Sequence, residues 1–155
     1  MYKKYLTKEQ AIQKLKHFCG YQERCHLEVR DKLYNLGVSG AMHDEIISTL
    51  IEDNYLNEER FAIAFAGGKF RVNQWGRVKI KHELKQKQVS EYNISKAMKE
   101  IDDKDYYDTL RNLYEKKWNS LKGEKNSFTK LSKTRNYLLQ KGFESDAVKE
   151  VAGID

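Results

Sequence analysis

The chain has 155 residues, 39% hydrophobic and 34% charged, with a net charge of +6 and a pI near 9.1. This length permits one ordinary domain or a few small repeats, burying roughly two-thirds of the unfolded surface if compact, and the basic excess favours an acidic partner such as nucleic acid or an acidic protein groove. No apolar run approaches the ~20 residues that span a bilayer, and residues 1–5 carry no signal-peptide pattern, so a membrane role is excluded and a cytoplasmic setting is expected.

Proline is absent, so nothing forces a helix to break, and nine helices are predicted. Thr7 and Gln10 form a capping box for the first, whose apolar face is Ala11, Ile12, Leu15, Phe18 and Cys19 and which stops at Gly20. The second runs from about Cys25 to Leu36, with Val29, Leu33 and Leu36 inward and Gly37 as its C-cap. The third occupies 39–53, with Ile46, Ile47, Leu50 and Ile51 apolar and Tyr55 and Leu56 packing behind it. Asn57 caps the fourth, Glu58 and Glu59 sit where the helix dipole favours negative charge, and Phe61, Ala64, Phe65 and Gly68 form its apolar face. Gly76 interrupts the pattern, and Val78, Ile80 and Leu84 restart it as a fifth helix. Ser90 opens a sixth, with Ile94, Ala97, Met98 and Ile101 in helical period. Asp102 or Asp103 caps a seventh, with Tyr107, Leu110, Tyr114, Trp118 and Leu121 along one side. A polar turn over 122–126 leads to an eighth that ends at Gly142, and a short ninth carries Ala147, Val148 and Val151. No segment alternates with period two, so strands are not expected.

The helices repeat in threes. Leu33-x-x-x-Gly37-Val38, Leu84-x-x-x-Gln88-Val89 and Leu138-x-x-x-Gly142-Phe143 superpose, each preceded by a base at Arg30, Lys81 or Arg135. The leucine anchors lie 51 and 54 residues apart, and the first unit carries three extra residues between its turn and its last helix. Units this small share contacts with their neighbours. The expected fold is all-α: three tandem three-helix repeats, 1–56, 57–101 and 102–155, in an extended, curved array.

The charge is not evenly spread. Residues 1–56 hold 8 basic and 8 acidic side chains, 57–101 hold 10 and 5, and 102–155 hold 11 and 10. From Lys69 to Lys87, seven bases (Lys69, Arg71, Arg77, Lys79, Lys81, Lys85, Lys87) face one acid, Glu83. A solvated face is the plain reading of such a helix. A one-sided stripe, with Lys81 and Lys85 a turn apart and Arg77 one turn earlier, is better explained by an anionic surface. Trp75 reads first as packing against the repeat turn and second as stacking on a base. Arg60 stands against the dipole preference, which calls for an ion-pair partner or, second, an external contact. Lys130, Lys133 and Arg135 extend the basic track into the third repeat.

Catalytic patterns are missing. Ala66-Gly-Gly-Lys69 lacks the spacing of a phosphate loop, and His82-Glu83 is half of a metalloprotease motif. His17, Cys19, Cys25 and His26 match no common zinc spacing and are read as two reduced structural thiols with bystander histidines. No enzyme activity, metal or cofactor is expected.

Leu56-Asn-Glu-Glu-Arg-Phe-Ala62, preceded by Asn54-Tyr55, resembles the Gly-Tyr-Leu-Asp-Asp-Glu-Arg-Phe-Ala segment of the RecX regulatory proteins. Trp75-Gly76 followed by Ile80-x-x-Glu83-Leu84-x-x-Lys87-x-Val89 is similar to that family's Gly-Pro-x-Arg-Ile-x-x-Glu-Leu-x-x-Lys-Gly-Ile, and the Arg30 and Arg135 elements resemble its first and third repeats. The likeness runs from about Lys8 to Val151. Arg77 replaces the usual proline, Gln88 a C-cap glycine and Cys25 a capping serine. The resemblance implies three tandem three-helix repeats and binding in the groove of the RecA recombinase filament on DNA. There the family restrains ATP hydrolysis, strand exchange and coprotease function, within recombination, DNA repair and the SOS response. The expected contact residues are Lys69, Arg71, Trp75, Arg77, Lys79, Lys81, Lys85, Lys130, Lys133 and Arg135 in a monomer. The alternative is a helical module that binds DNA directly through the same basic face.

Overall fold

Nine α-helices and one 3-10 turn, with no strand, make up the regular structure among the described residues, 5–153, of the computed structural model. Residues 1–4, most of the stretch scanned above for a signal peptide, lie outside the described residues. The first trio is α1 (Lys8–Tyr21), α2 (His26–Asn35) and α3 (His43–Glu52); the second is α4 (Glu58–Arg71), α5 (Arg77–Gln86) and α6 (Glu91–Lys99); the third is α7 (Asp103–Ser120), α8 (Ser127–Gln140) and α9 (Ser145–Ala152). No helix is long and apolar enough to cross a membrane, among the described residues.

Local chemistry explains the helix ends. Thr7 and Gln10 close a reciprocal capping box on α1. Asn57, Ser90, Asp102 and Asn126 each accept a first-turn N–H with the side chain, on α4, α6, α7 and α8. Cys25 lacks a hydroxyl, and Glu28 reaches back to its N–H at 3.0 Å instead.

The repeat is visible in the backbone. α2, α5 and α8 end in one turn, with Gly37, Gln88 and Gly142 in the left-handed region at φ 75°, 62° and 97°. In each, the N–H of the next residue returns to the anchor leucine: Val38 to Leu33, Val89 to Leu84 and Phe143 to Leu138, at 3.0–3.2 Å. All six of those side chains are buried. The three extra residues of the first unit form the 3-10 turn, Gly40–Met42. Just after it the buried His43 donates from Nε2 to the Val38 carbonyl at 3.1 Å, which pins that insertion to the repeat turn.

Two apolar clusters result. One lies within the first trio around Leu15, Leu33, Ile46 and Leu50, and the other joins the second and third trios around Phe61, Ile80, Leu84, Tyr106, Leu110, Leu138 and Phe143. Extensive helix packing stays inside each trio, so the trios meet through small junctions. The chain accordingly exposes 10065 Å², against ~8,100 Å² for a compact protein of this mass. It is extended.

Two helix faces differ from the sequence reading. On α4 the buried residues are Phe61, Ala62, Ala66, Gly67 and Phe70, whereas Ala64 is exposed and Gly68 half-buried. The face is turned because α4 packs closely on α6, and Ala62 and Ala66 are small enough to allow that approach. On α7 the buried residues are Tyr106, Leu110 and Leu113, while Tyr107, Tyr114 and Trp118 lie at the margin. Ile51, expected inward, is exposed on α3.

Candidate functional site

The basic residues of the second repeat do not form one stripe. Ile80 and Leu84 point α5 inward, and the helical period then places Lys79 on one flank and Lys81 with Lys85 on the other. Lys81 is exposed, and Lys85 pairs with Glu91 at 3.4 Å, both ends in water, an interaction worth little.

The Lys79 flank is the built one. Phe65 and Lys69 are one turn apart on α4, and Trp75 follows in the α4–α5 turn. The Lys69 ammonium lies 5.5 Å from the Phe65 ring centre and 4.9 Å from that of Trp75. From α5, Lys79 lies 4.5 Å from Trp75 and Lys87 5.6 Å from Phe65. The rings hold three ammonium groups in a row through their negative faces. Glu83 sits between Lys79 and Lys87 on the same flank but makes no ion pair, among the described residues.

The row reaches the third repeat. Lys141, at the end of α8, donates from Nζ to the Asn73 carbonyl at 2.9 Å. Burial first, and the neighbouring Lys79 charge second, pull it below the usual lysine range. A nearby anion would favour its charged form. Lys87, Lys69, Lys79 and Lys141 thus form a track beside Phe65 and Trp75 that crosses the junction between the second and third repeats. None of the four makes an ion pair among the described residues.

Glycine makes this junction possible. The Gly76 N–H donates to the Lys141 carbonyl at 2.8 Å and the Val78 N–H to the Gly142 carbonyl at 2.9 Å. The start of α5 therefore satisfies the end of α8, two sets of orphan groups at once. A Cβ on Gly76 would strike the Gly142 backbone, and one on Gly142 would strike Lys79.

Arg77 lies in this junction and not in a free basic face. Its guanidinium stacks 3.8 Å from the Tyr106 ring centre and pairs with Asp103 at 2.5 Å and Glu144 at 3.4 Å. Its backbone N–H donates to the Tyr106 hydroxyl at 3.0 Å, and that hydroxyl donates to Glu144. A proline here, the residue the family pattern carries, could supply neither N–H nor ion pair. Burial first and Glu144 second raise Tyr106 far above the usual phenol range.

The remaining expected contacts are scattered. Arg71 is exposed and folds over Gly67. Trp75 is half-buried in the α4–α5 turn, with its ring centre 4.9 Å from the Lys69 ammonium and 4.5 Å from that of Lys79. Lys130 covers Trp118 at 4.3 Å, Lys133 pairs with Glu124 at 3.0 Å, and Arg135 is half-buried on α8. Arg60 has its partner in Glu23 at 2.6 Å and also binds Asn54, tying the first repeat to the second. Sequence reasoning left three track members out of the contact set: Phe65, Lys87 and Lys141. Lys87 stands eight residues from Lys79 and Phe65 four from Lys69, spacings that put each pair on one flank. Nothing local flags Lys141.

Cys19 and Cys25 are free, buried thiols in different apolar clusters, and burial pushes both up to about 11. They stay protonated at neutral pH, whereas a metal takes the thiolate. No group of three metal-capable side chains converges among the described residues.

Comparison with known proteins agrees with this architecture. Two family models match: "RecX, second three-helix domain" over residues 57–98 and "RecX, third three-helix domain" over 103–152, together more than half the chain. The chain is 32% identical over 133 residues to the Regulatory protein RecX of Bacillus cytotoxicus, covering 85% of this chain and 48% of that protein. It is 38% identical over 125 residues to that of Clostridium perfringens, covering 80% and 58%. It therefore spans about half the length of these curated relatives. RecX from Lactobacillus salivarius superposes with a TM-score of 0.85 at 25% identity, covering 94% of both chains. A second crystal structure of regulatory protein RecX superposes with a TM-score of 0.85 at 17% identity, over 94% of this chain and 71% of that one, a likeness of fold. In repeat architecture, matched domains and relatives, the chain belongs to the RecX family.

Proposed function

We propose that this chain is a non-enzymatic regulator that docks on the RecA recombinase filament on DNA and restrains its ATP hydrolysis, strand exchange and coprotease activity. It does so as a cytoplasmic monomer without cofactor, its repeats being 1–56, 57–101 and 102–155. The supporting observation is the track: Lys87, Lys69, Lys79 and Lys141, positioned by Phe65 and Trp75 and without internal ion pairs among the described residues. An extended array suits a filament, because it can follow a groove over a longer path than a sphere of equal mass.

The test measures ATP hydrolysis by RecA on single-stranded DNA with increasing amounts of this protein. Wild type should inhibit at amounts too small to coat the DNA. Lys69→Glu, Lys79→Glu and Lys87→Glu together should lose inhibition at least tenfold, while Lys81→Glu with Lys85→Glu, on the opposite flank, should change it less than threefold. Equal inhibition by wild type and the track variant sinks this docking face. A second reading, direct DNA binding, is favoured by the pairing of cations with aromatic rings. It wins if naked DNA binds as tightly as the filament at the same salt and inhibition begins only at saturation.

A further inference from the structure

The first repeat holds a second site, unrelated to the track. A groove of about 490 Å³ opens between α1 and α2. Phe18 and Leu36 form its floor, and Lys14, His17, Arg24 and Lys32 line it, with no acidic residue among the lining side chains. This is a local excess, since residues 1–56 balance acids and bases overall. The Arg24 guanidinium stacks 3.8 Å from the Phe18 ring centre, with the Lys32 ammonium 5.5 Å from the same ring. Arg24 is held by its Nε donating to the Phe18 carbonyl at 3.1 Å, and Glu28, behind it, comes only within 3.9 Å. Glu28 meanwhile accepts the Cys25 N–H. Lys14 and Lys32 make no ion pair among the described residues.

We propose that this groove binds a short acidic peptide segment of a partner protein, carrying an aliphatic or aromatic side chain between carboxylates. The apolar floor takes the side chain. Arg24, stacked on its ring with Nε on a backbone acceptor and Nη1 near Glu28, has Nη2 left to donate to a carboxylate. Lys14 and Lys32 attract acids on either side. Nucleic acid fits less well, because a base stacks on a ring face and Arg24 covers that of Phe18, whereas a peptide side chain packs on the Leu36 part of the floor. Nucleic-acid affinity also rests on many phosphate contacts, and a charge-balanced repeat with a few local cations does not supply them.

The experiment uses the full chain and a fluorescein-labelled ten-residue peptide, Asp and Glu flanking a central Leu-Phe, read by anisotropy. The peptide should bind, and weaken at least tenfold when its acids become Asn and Gln or its Leu-Phe becomes Ser-Ser. Lys14→Glu with Lys32→Glu should also weaken it tenfold, and Lys69→Glu, Lys79→Glu and Lys87→Glu together less than threefold. If the charge reversal lowers helicity, Lys14→Gln with Lys32→Gln keeps the stems and should still weaken binding at least threefold. Failure of the peptide to bind wild type, equal binding by the uncharged peptide, or tighter binding of a labelled dT10 lost in the Lys14/Lys32 variants each overturns the proposal. No RecA is present, so these outcomes are separate from those of the filament assay.

Discussion

At the scale of single residues, chain chemistry decides local stability where the repeat departs from its own pattern. Gln88 occupies a left-handed position that its counterparts Gly37 and Gly142 fill without a Cβ. A side chain there costs on the order of 1 kcal/mol, so Gln88→Gly should raise stability by roughly 0.5–1 kcal/mol in urea unfolding; a loss would mean that the Gln88 side chain makes a compensating contact. The buried thiols set a pH dependence. Below the ordinary thiol value of 9.0, Cys19 and Cys25 are protonated in folded and unfolded chains alike, and their packing contributes in full. As pH rises from 9 towards about 11, the unfolded chain releases protons that the folded chain keeps, and stability falls. The loss is on the order of 3 kcal/mol per thiol. Cys19→Ala with Cys25→Ala should flatten this alkaline limb, leaving the Tyr106 contribution, which begins above the ordinary phenol value of 10.0. An unchanged slope in the double variant would assign the limb to other groups.

At the scale of elements, the decisive contact is the end of α8 against the start of α5. Two backbone N–H groups, of Gly76 and Val78, find partners across it, while that of Arg77 donates to the Tyr106 hydroxyl on α7. Gly76→Ala forces the two backbones apart, and the neighbour is main chain that cannot rotate away. The expected cost is roughly 2–4 kcal/mol, with repeats two and three losing their common unfolding transition. Retention of a single transition at wild-type stability would show that the junction can slide. Arg77 belongs to this scale too, since its guanidinium fastens α7 and the α8–α9 turn to α5 through Asp103 and Glu144.

At the scale of the whole molecule, three trios with few contacts between them give more surface than a sphere of the same mass. Small-angle scattering should return a radius of gyration above the ~15 Å of a compact chain of this length; a value at that limit would mean the trios fold onto one another in solution. The track gives the array its polarity. Its four lysines run across the junction of the second and third repeats, whereas the unpaired Lys14 and Lys32 of the first line the separate groove. Binding through the track should weaken steeply with added salt, because exposed charges are screened within about a Debye length.

How much of this the amino-acid order determined by itself depends on the range of the interaction. Helix existence, caps and the repeated Leu-x-x-x-Gly turn are set by neighbours within four or five residues, so periodicity and capping residues were enough to place all nine helices and the three-residue insertion of the first repeat. The basic excess of the middle repeat was equally legible, because charge can be counted. What only the tertiary structure decided is which side of a helix faces which neighbour. The i, i+3, i+4 pattern of Phe61, Ala64, Phe65 and Gly68 was apolar enough to suggest a face, yet the close approach of α6 selected Ala62 and Ala66 instead. The same choice split Lys79 from Lys81 and Lys85, drew the half-buried Arg77 into an ion-pair network, and brought Lys141, 62 residues away, beside Lys79. Those pairings rest on backbone contact between two glycines 66 residues apart, and no local pattern in a sequence specifies which turn will meet which.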